Sequence, residues 1–135
     1  MQSVRQLKLI GKTVVRQQQI IQELNRLVKD IERGERTIIE LRDELESVNR
    51  KHHGRSTTRD NIEYLSDLLA CAKKKLNWEK HMGSLQKRAP QIMETMSQVI
   101  NDPQAPPDEE TRAQIVRALN AVQSAMERLQ NAKVE

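Results

Sequence analysis

The sequence predicts an all-α protein, in which a long antiparallel helical hairpin of coiled-coil character carries a shorter C-terminal helix that packs back on it. Three observations indicate this fold class. Apolar residues recur at heptad spacing between charged residues. The chain has one Trp, one Tyr and no Phe, so aliphatic side chains must fill its core. Four Gly and four Pro are too few for a turn-rich β fold, and no run of β-branched residues alternates with polar ones.

The first helix is predicted from about residue 3 to residue 51. Its heptad seam, the line of a and d positions, consists of Leu7, Ile10, Val14, Gln17, Ile21, Leu24, Val28 and Ile31. Beside that seam and widening it are Ile20 and Leu27. A second run in a different phase consists of Ile38, Leu41, Leu45 and Val48. We therefore expect a discontinuity near Gly34 and two packing environments along one helix.

The predicted hairpin tip spans residues 50–58, where the heptad pattern stops. Gly54 can end the first helix, and the next can be capped by any of Ser56, Thr57 or Thr58. The returning arm covers about residues 59–101, with a break expected near residues 83–90 because Gly83 and Pro90 weaken a helix. Pro90 either begins a new helix or kinks a continuous one. Residues 1–101 thus form the predicted hairpin.

Two apolar stripes follow the first half of the returning arm. The aliphatic stripe occupies a and d positions and consists of Ile62, Leu65, Leu69, Ala72 and Leu76. The aromatic stripe lies roughly 110° away around the helix and consists of Tyr64, Leu68, Cys71, Trp78 and Met82. We expect the aliphatic stripe to face the first helix. The aromatic stripe is then the predicted partner-binding surface, because Trp and Tyr dominate binding hot spots. The alternative is that a thicker bundle buries it.

Residues 102–135 are predicted to form a Pro-rich linker and a C-terminal amphipathic helix that begins near Pro107. The seam of this helix consists of Ile115, Leu119, Val122, Met126 and Leu129. At about 1.5 Å per residue this helix is roughly 37 Å long, against roughly 72 Å for the first helix. Counting from the tip places Ile31 level with residue 77 and Leu7 level with Ile100. The C-terminal helix is therefore expected to stop near the level of residue 25, short of the aromatic stripe.

Positive charge is concentrated in residues 50–88, which carry ten basic and four acidic side chains. The predicted basic patch consists of Arg50, Lys51, Arg55, Arg59, Lys73, Lys74, Lys75 and Lys80. Such a patch is most often a solubilising face. Its alternative role is contact with an acidic protein surface or an anionic membrane. Nucleic acid is the least favoured partner, because aromatic side chains for base stacking are nearly absent.

No catalytic, cofactor-binding or metal-binding residue is predicted. The sequence contains no Gly-rich loop, nucleophile elbow, HExxH or CxxC motif. His52 and His53 are expected to titrate at the surface, and Cys71 is expected to be semi-buried. The single cysteine favours a reducing compartment, so an intracellular location is predicted, cytoplasmic or alternatively nuclear. Residues 1–22 have four basic and no acidic residues, as in some transit peptides, but their apolar spacing continues into the acidic segment that follows.

These observations predict a non-enzymatic structural or adaptor subunit that mediates protein–protein assembly in a larger complex of the cytoskeletal, kinetochore or trafficking type. Its predicted partners are other helical proteins or a second copy, so we expect the chain not to work as a solitary monomer. The alternative function is direct binding of an acidic polymer or membrane surface through the basic tip and the returning arm. Salt separates the two, because only charge-led binding is lost when ions screen it.

Overall fold

The computed structural model describes residues 4–133, with side chains described for residues 11–132. It contains three helices, α1 (Val4–His52), α2 (Thr58–Ile100) and α3 (Glu109–Lys133). α1 and α2 form an antiparallel hairpin, and α1 packs along both α2 and α3. The predicted fold class, an all-α hairpin with a C-terminal helix packed back on it, is confirmed.

The hairpin tip follows from local backbone chemistry. Gly54 has φ +77°, a left-handed conformation that suits glycine and turns the chain after α1. Of the three candidate caps, Thr57 is the one used: its hydroxyl accepts a hydrogen bond from the backbone N–H of Asp60 at 3.1 Å. Arg50, Lys51 and His52 occupy the last turn of α1, where the helix dipole favours positive charge.

α2 is one continuous helix, so the break predicted near residues 83–90 is wrong. Pro90 lies inside it, on an exposed position, where the ring removes one backbone hydrogen bond. The buried and half-buried positions of α2 keep an unbroken heptad spacing across this stretch through Met82, Leu85, Ala89 and Ile92. Packing of this stripe against the rest of the core offsets the local cost of Gly83 and Pro90.

The seam of α1 is also continuous, which corrects the predicted change of phase. From Gln17 to His52 a single 3-4 spacing passes through Gln17, Ile20, Leu24, Leu27, Ile31, Gly34, Ile38, Leu41, Leu45, Val48 and His52. Leu24 and Ile31 belong to it as predicted, whereas Ile21 and Val28 flank it half-buried and Val14 is exposed. The predicted seam positions Leu7 and Ile10 lie outside the described side chains. The predicted discontinuity arose because the apolar pairs Ile20–Ile21 and Leu27–Val28 each offer two possible seam positions, and because Gly34 places no apolar side chain in the seam.

α3 reaches farther along α1 than predicted. Trp78 lies level with Gly34 and Gln98 lies beside Arg16, so α2 ends well before the N-terminus of α1. The linker passes Gln17, whose side-chain amide donates to the carbonyl of Ala105 at 3.3 Å. α3 starts from that level and ends near Ile38, not near residue 25. The shift arises because the first turns of α2 extend beyond the last turn of α1, so α2 ends closer to the hairpin tip than residue counting suggests. α3, which follows α2, therefore starts and ends closer to the tip as well.

α3 begins at an aspartate cap, and small residues in its buried seam set its contact with α1. Asp108 caps α3 by accepting the backbone N–H of Thr111 at 2.7 Å, and its hydrogen bonds to the Thr111 hydroxyl and backbone hold the pKa of Asp108 below its usual range. The buried seam of α3 consists of Ile115, Ala118, Val122, Ala125 and Leu129. The predicted seam residues Leu119 and Met126 are half-buried and exposed, because two alanines take the core positions and let the helices approach closely.

Candidate helix-docking surface

The two stripes of α2 are placed the opposite way to the prediction. The aromatic stripe faces α1: Cys71 and Trp78 are buried, and Tyr64, Leu68 and Met82 are half-buried. The aliphatic stripe points away from α1 and lies at the surface. The surface predicted for a partner therefore forms the inner face of the hairpin, and the stripe predicted for the hairpin is the one left unpartnered within the described chain.

Contact between Trp78 and Gly34 explains which stripe turns inward. The indole N–H of Trp78 donates to the carbonyl oxygen of Gly34 at 2.8 Å, which satisfies the one polar atom of a buried ring. The missing side chain of Gly34 leaves room for this arrangement: a Cβ there would lie 2.7 Å from Sδ of Met82 and 3.7 Å from Nε1 of Trp78. A large residue on α2 thus fits a glycine on α1, and this fit orients the whole of α2.

Exposure of the aliphatic stripe is high along its full length. Ile62, Leu65, Leu69 and Leu76 are exposed by 63%, 60%, 65% and 52%, and Ala72 is exposed as well. Leu69 and Trp78 are nine residues apart, which at about 100° per residue places them on opposite sides of the helix. α3 lies against α1 and does not cover this outer face. The result is a regular 3-4-3-4 row of solvent-exposed aliphatic side chains, the pattern of a coiled-coil seam that lacks its partner helix.

The basic patch divides into paired and unpaired cations. Several form ion pairs within the chain: Arg50 with Glu46, Lys51 with Asp67, Arg59 with Glu63, and Lys74 with Glu44. The hydrogen bond from Lys74 to Glu44, 2.7 Å long, raises the pKa of Lys74 above its usual value. Within the described part of the chain, no ion pair is made by the remaining members, Arg55, Lys73, Lys75 and Lys80.

A polar cluster closes the hairpin near its tip. His52, predicted to lie at the surface, is buried, and its Nε2 lies 2.8 Å from Oδ2 of Asp67. This hydrogen bond is the main cause of the lowered pKa of Asp67; burial opposes it, and the positive charge of Lys51 at 3.5 Å adds to the lowering. The phenol of Tyr64 donates to the side-chain oxygen of Asn49 on the same level. His53 is exposed as predicted. The cluster ties α1 to α2 where α3 no longer reaches.

A second apolar surface lies where α3 ends. There the groove between α1 and α2 continues toward the tip as an open cleft of about 410 Å³, and its lining consists of Ile38, Leu41, Arg42, Leu45, Lys75, Trp78 and Ala132. Only Leu45 among these apolar side chains is substantially exposed, at 40%. The cleft therefore exposes little apolar side-chain area, and the aliphatic stripe of α2 offers the larger apolar surface.

Comparison with known proteins leaves the site to be interpreted from its geometry. No family model, no curated protein and no solved structure matches the chain. Among the described residues, no group of three or more His, Cys, Asp or Glu side chains is placed to hold a metal ion. None of the helices, as far as they are described, combines the length and the apolar character needed to cross a membrane.

Proposed function

We propose that this protein is a structural or adaptor subunit whose α2 presents its aliphatic stripe to a helix of another protein. In this proposal α1 holds α2 through the inner face of α2, and the outer face of α2 is the binding surface. The observation that carries the proposal is the exposed 3-4-3-4 row of Ile62, Leu65, Leu69, Ala72 and Leu76. Such a row binds an amphipathic helix through anchors one turn apart. The position of the row on a two-helix segment leaves a partner free access to it.

The magnitude of apolar burial limits how strongly the aliphatic stripe can bind a helix by itself. Fully burying one aliphatic side chain contributes about 1.5–3 kcal/mol, and roughly 60% of each of the four large side chains is still available. Association itself costs at least about 4 kcal/mol in lost freedom of motion. The aliphatic stripe alone is therefore close to break-even, and the residues that border it must contribute to any stable complex.

Binding of an acidic polymer or an anionic membrane through the basic tip is the alternative proposal. The surplus of basic residues within residues 50–88 favours it. The internal ion pairs of Arg50, Lys51 and Arg59 argue against the tip, because these cations already have carboxylate neighbours. Apolar docking is expected to survive 0.5 M salt, where the Debye length is about 4 Å, and binding led by the tip charges is not.

The first prediction concerns the protein in the cells that make it. We expect the wild-type chain to migrate in an assembly heavier than its own 15.7 kDa on native size fractionation. The Leu65→Ser, Leu69→Ser double variant should leave this assembly, while its helical circular dichroism stays unchanged because both positions are exposed. Val116→Ser, Met126→Ser removes two aliphatic side chains of α3 that are exposed by 46% and 51%, and is the matched control. An assembly that keeps the Leu65, Leu69 double variant contradicts the proposal.

A further inference from the structure

We infer that the helix bound by the aliphatic stripe belongs to a different chain and carries acidic residues along both edges of its own apolar seam. This inference rests on the proposed function and names the chemistry of the partner. It excludes a second copy of this chain as the occupant. The argument depends on the residues that border the stripe and on their charges.

The border positions follow from the heptad assignment. When Ile62, Leu69 and Leu76 are a positions, the e and g positions lie on the two edges of the stripe, where a docked helix is contacted. One edge consists of Arg59, Ser66, Lys73 and Lys80, and the other, which adjoins the inner face of α2, consists of Asn61, Leu68 and Lys75. Neither edge contains an acidic residue, so the stripe lies between two borders that are basic or neutral.

The lysines of these edges are not used inside the molecule. Lys73, Lys75 and Lys80 are exposed and form no ion pair with any residue that the structure describes. Lys74 and Arg88 lie on the same helix but toward α1, and both meet carboxylates, at 2.7 Å from Glu44 and 2.9 Å from Asp30. Lys74 and Arg88 are thus matched with acids. Lys73 and Lys80 on the outer edge, and Lys75, which also lines the cleft between α1 and α2, remain available to an acid from a partner.

Self-association through the stripe is opposed by the same charges. In a parallel pair of identical helices, each g position faces the e position of the following heptad in the other copy. Lys75 of each copy would therefore face Lys80 of the other. In an antiparallel pair each edge faces its own equivalent, so the edge with Arg59, Lys73 and Lys80 meets itself. Like charges beside a seam raise the free energy of the complex, and glutamates or aspartates at the partner's e and g positions lower it.

Three designed peptides of four heptads test this inference. All have leucine at a and d; they differ only in carrying Glu, Gln or Lys at every e and g position. Fluorescence anisotropy against the full chain in about 50 mM salt gives the affinities. We expect the Glu peptide to bind at least ten-fold tighter than the Gln peptide and the Lys peptide not to bind. The preference of Glu over Gln should shrink in 0.5 M salt, because ions screen the flanking charges.

Two protein variants show where the peptides bind. Leu65→Ser, Leu69→Ser keeps every lysine and should lose the Glu peptide; retained binding would mean charge attraction without docking, which overturns the inference. A triple variant should reverse the preference for the Glu peptide over the Lys peptide, so that the Lys peptide binds best: Lys73→Glu, Lys75→Glu, Lys80→Glu. Lys29→Glu, Arg112→Glu, Arg117→Glu makes the same change in net charge at exposed positions of α1 and α3 and should keep the wild-type preference.

The remaining outcomes separate this inference from the proposed function. Equal binding of the Glu and Lys peptides leaves helix docking intact and overturns the acidic partner. No binding of any of the three peptides overturns docking and the partner together. The isolated chain should sediment as a monomer of 15.7 kDa. A dimer that Leu69→Ser converts to a monomer would show that a second copy occupies the stripe, which also overturns the inference.

Discussion

Gly34 is the residue on which the register of the hairpin depends. It lies at a buried seam position of α1, where a larger residue would ordinarily stand, and Trp78 and Met82 of α2 occupy the space that its absent side chain leaves. Its carbonyl also accepts the hydrogen bond of the Trp78 indole. Gly83, in contrast, has no neighbouring atom within 4 Å of a Cβ built on it, so its lack of a side chain serves no packing need.

A matched pair of substitutions tests this role. Gly34→Leu should lower the free energy of unfolding by about 1–3 kcal/mol, because an extra side chain is forced against Trp78 and Met82. Gly83→Leu should raise it by roughly 0.5–1 kcal/mol, since leucine has the better helix propensity and the space is open. Urea denaturation of both variants measures the difference. Equal effects of the two substitutions would show that Gly34 is not a packing position.

Asp67 couples the stability of the hairpin tip to pH. Its carboxylate faces the His52 ring and the Lys51 ammonium, and the hydrogen bond to His52 is the main reason that its pKa lies below the ordinary 3.8. In the unfolded chain the pKa returns to that ordinary value. The stabilising contribution is therefore fully present above about pH 4, and it is lost as the pH falls through the lower pKa of the folded state.

The variant Asp67→Asn removes this contribution. Above about pH 4 we expect its urea midpoint to lie below that of the wild type, and the gap between the two should close as the pH falls below that value. Asp43→Asn changes a carboxylate on α1 that lies outside the cluster at the tip and serves as the control. A gap that stays constant over this pH range would mean that the charge of Asp67 does not stabilise the folded hairpin.

At the scale of the helices, α2 is the element with two apolar faces. The sequence was sufficient to find both stripes, their spacing, and the first and last turns of α2, because these depend on local periodicity and capping residues. It did not tell which stripe faces inward. That choice depends on Gly34 of α1, which lies 44 residues before Trp78 along the chain. A search for apolar periodicity does not identify a glycine as a core position.

The same limitation explains the error over the reach of α3. Counting residues outward from the tip assumed that α1 and α2 begin level with each other. The pairing of His52 with Asp67 shows that α2 starts beyond the end of α1, and this offset shifts every later pair. Long-range register depends on side-chain contacts across helices, which have no signature in the periodicity of either helix.

Substitutions on the two faces of α2 are expected to change stability by very different amounts. Trp78→Ala should cost the isolated chain about 3–5 kcal/mol, because the ring is 8% exposed and lies in the core. Leu69→Ala should change stability by less than about 0.5 kcal/mol, the usual range for surface positions, because Leu69 is 65% exposed. Thermal and urea denaturation of the isolated variants provide the comparison. A Leu69→Ala variant as unstable as Trp78→Ala would contradict the orientation of α2.

At the scale of the whole molecule, one end of the bundle contains three helices and the end at the hairpin tip contains two. Three helices meet where α3 lies beside α1, and only two continue to the tip, held by the Trp78 contact, the Lys74–Glu44 pair and the His52–Asp67 pair. Along the part of the chain whose side chains are described, buried residues of α1, of the inner face of α2 and of α3 form one core. The aliphatic stripe, a regular row along the outside of α2, lies outside that core and is exposed.

The most direct test of the central claim is the accessibility of that row in the native assembly. In a Cys71→Ala background, Leu69→Cys introduces a thiol into the row, and Val116→Cys introduces one on the exposed face of α3 as a control. In the isolated protein both thiols should react rapidly with a maleimide reagent. In the native assembly we predict that the thiol at position 69 is protected at least ten-fold while the thiol at position 116 reacts as before. Equal reactivity at position 69 in the isolated and the assembled protein would contradict the claim that a partner helix covers the outer face of α2.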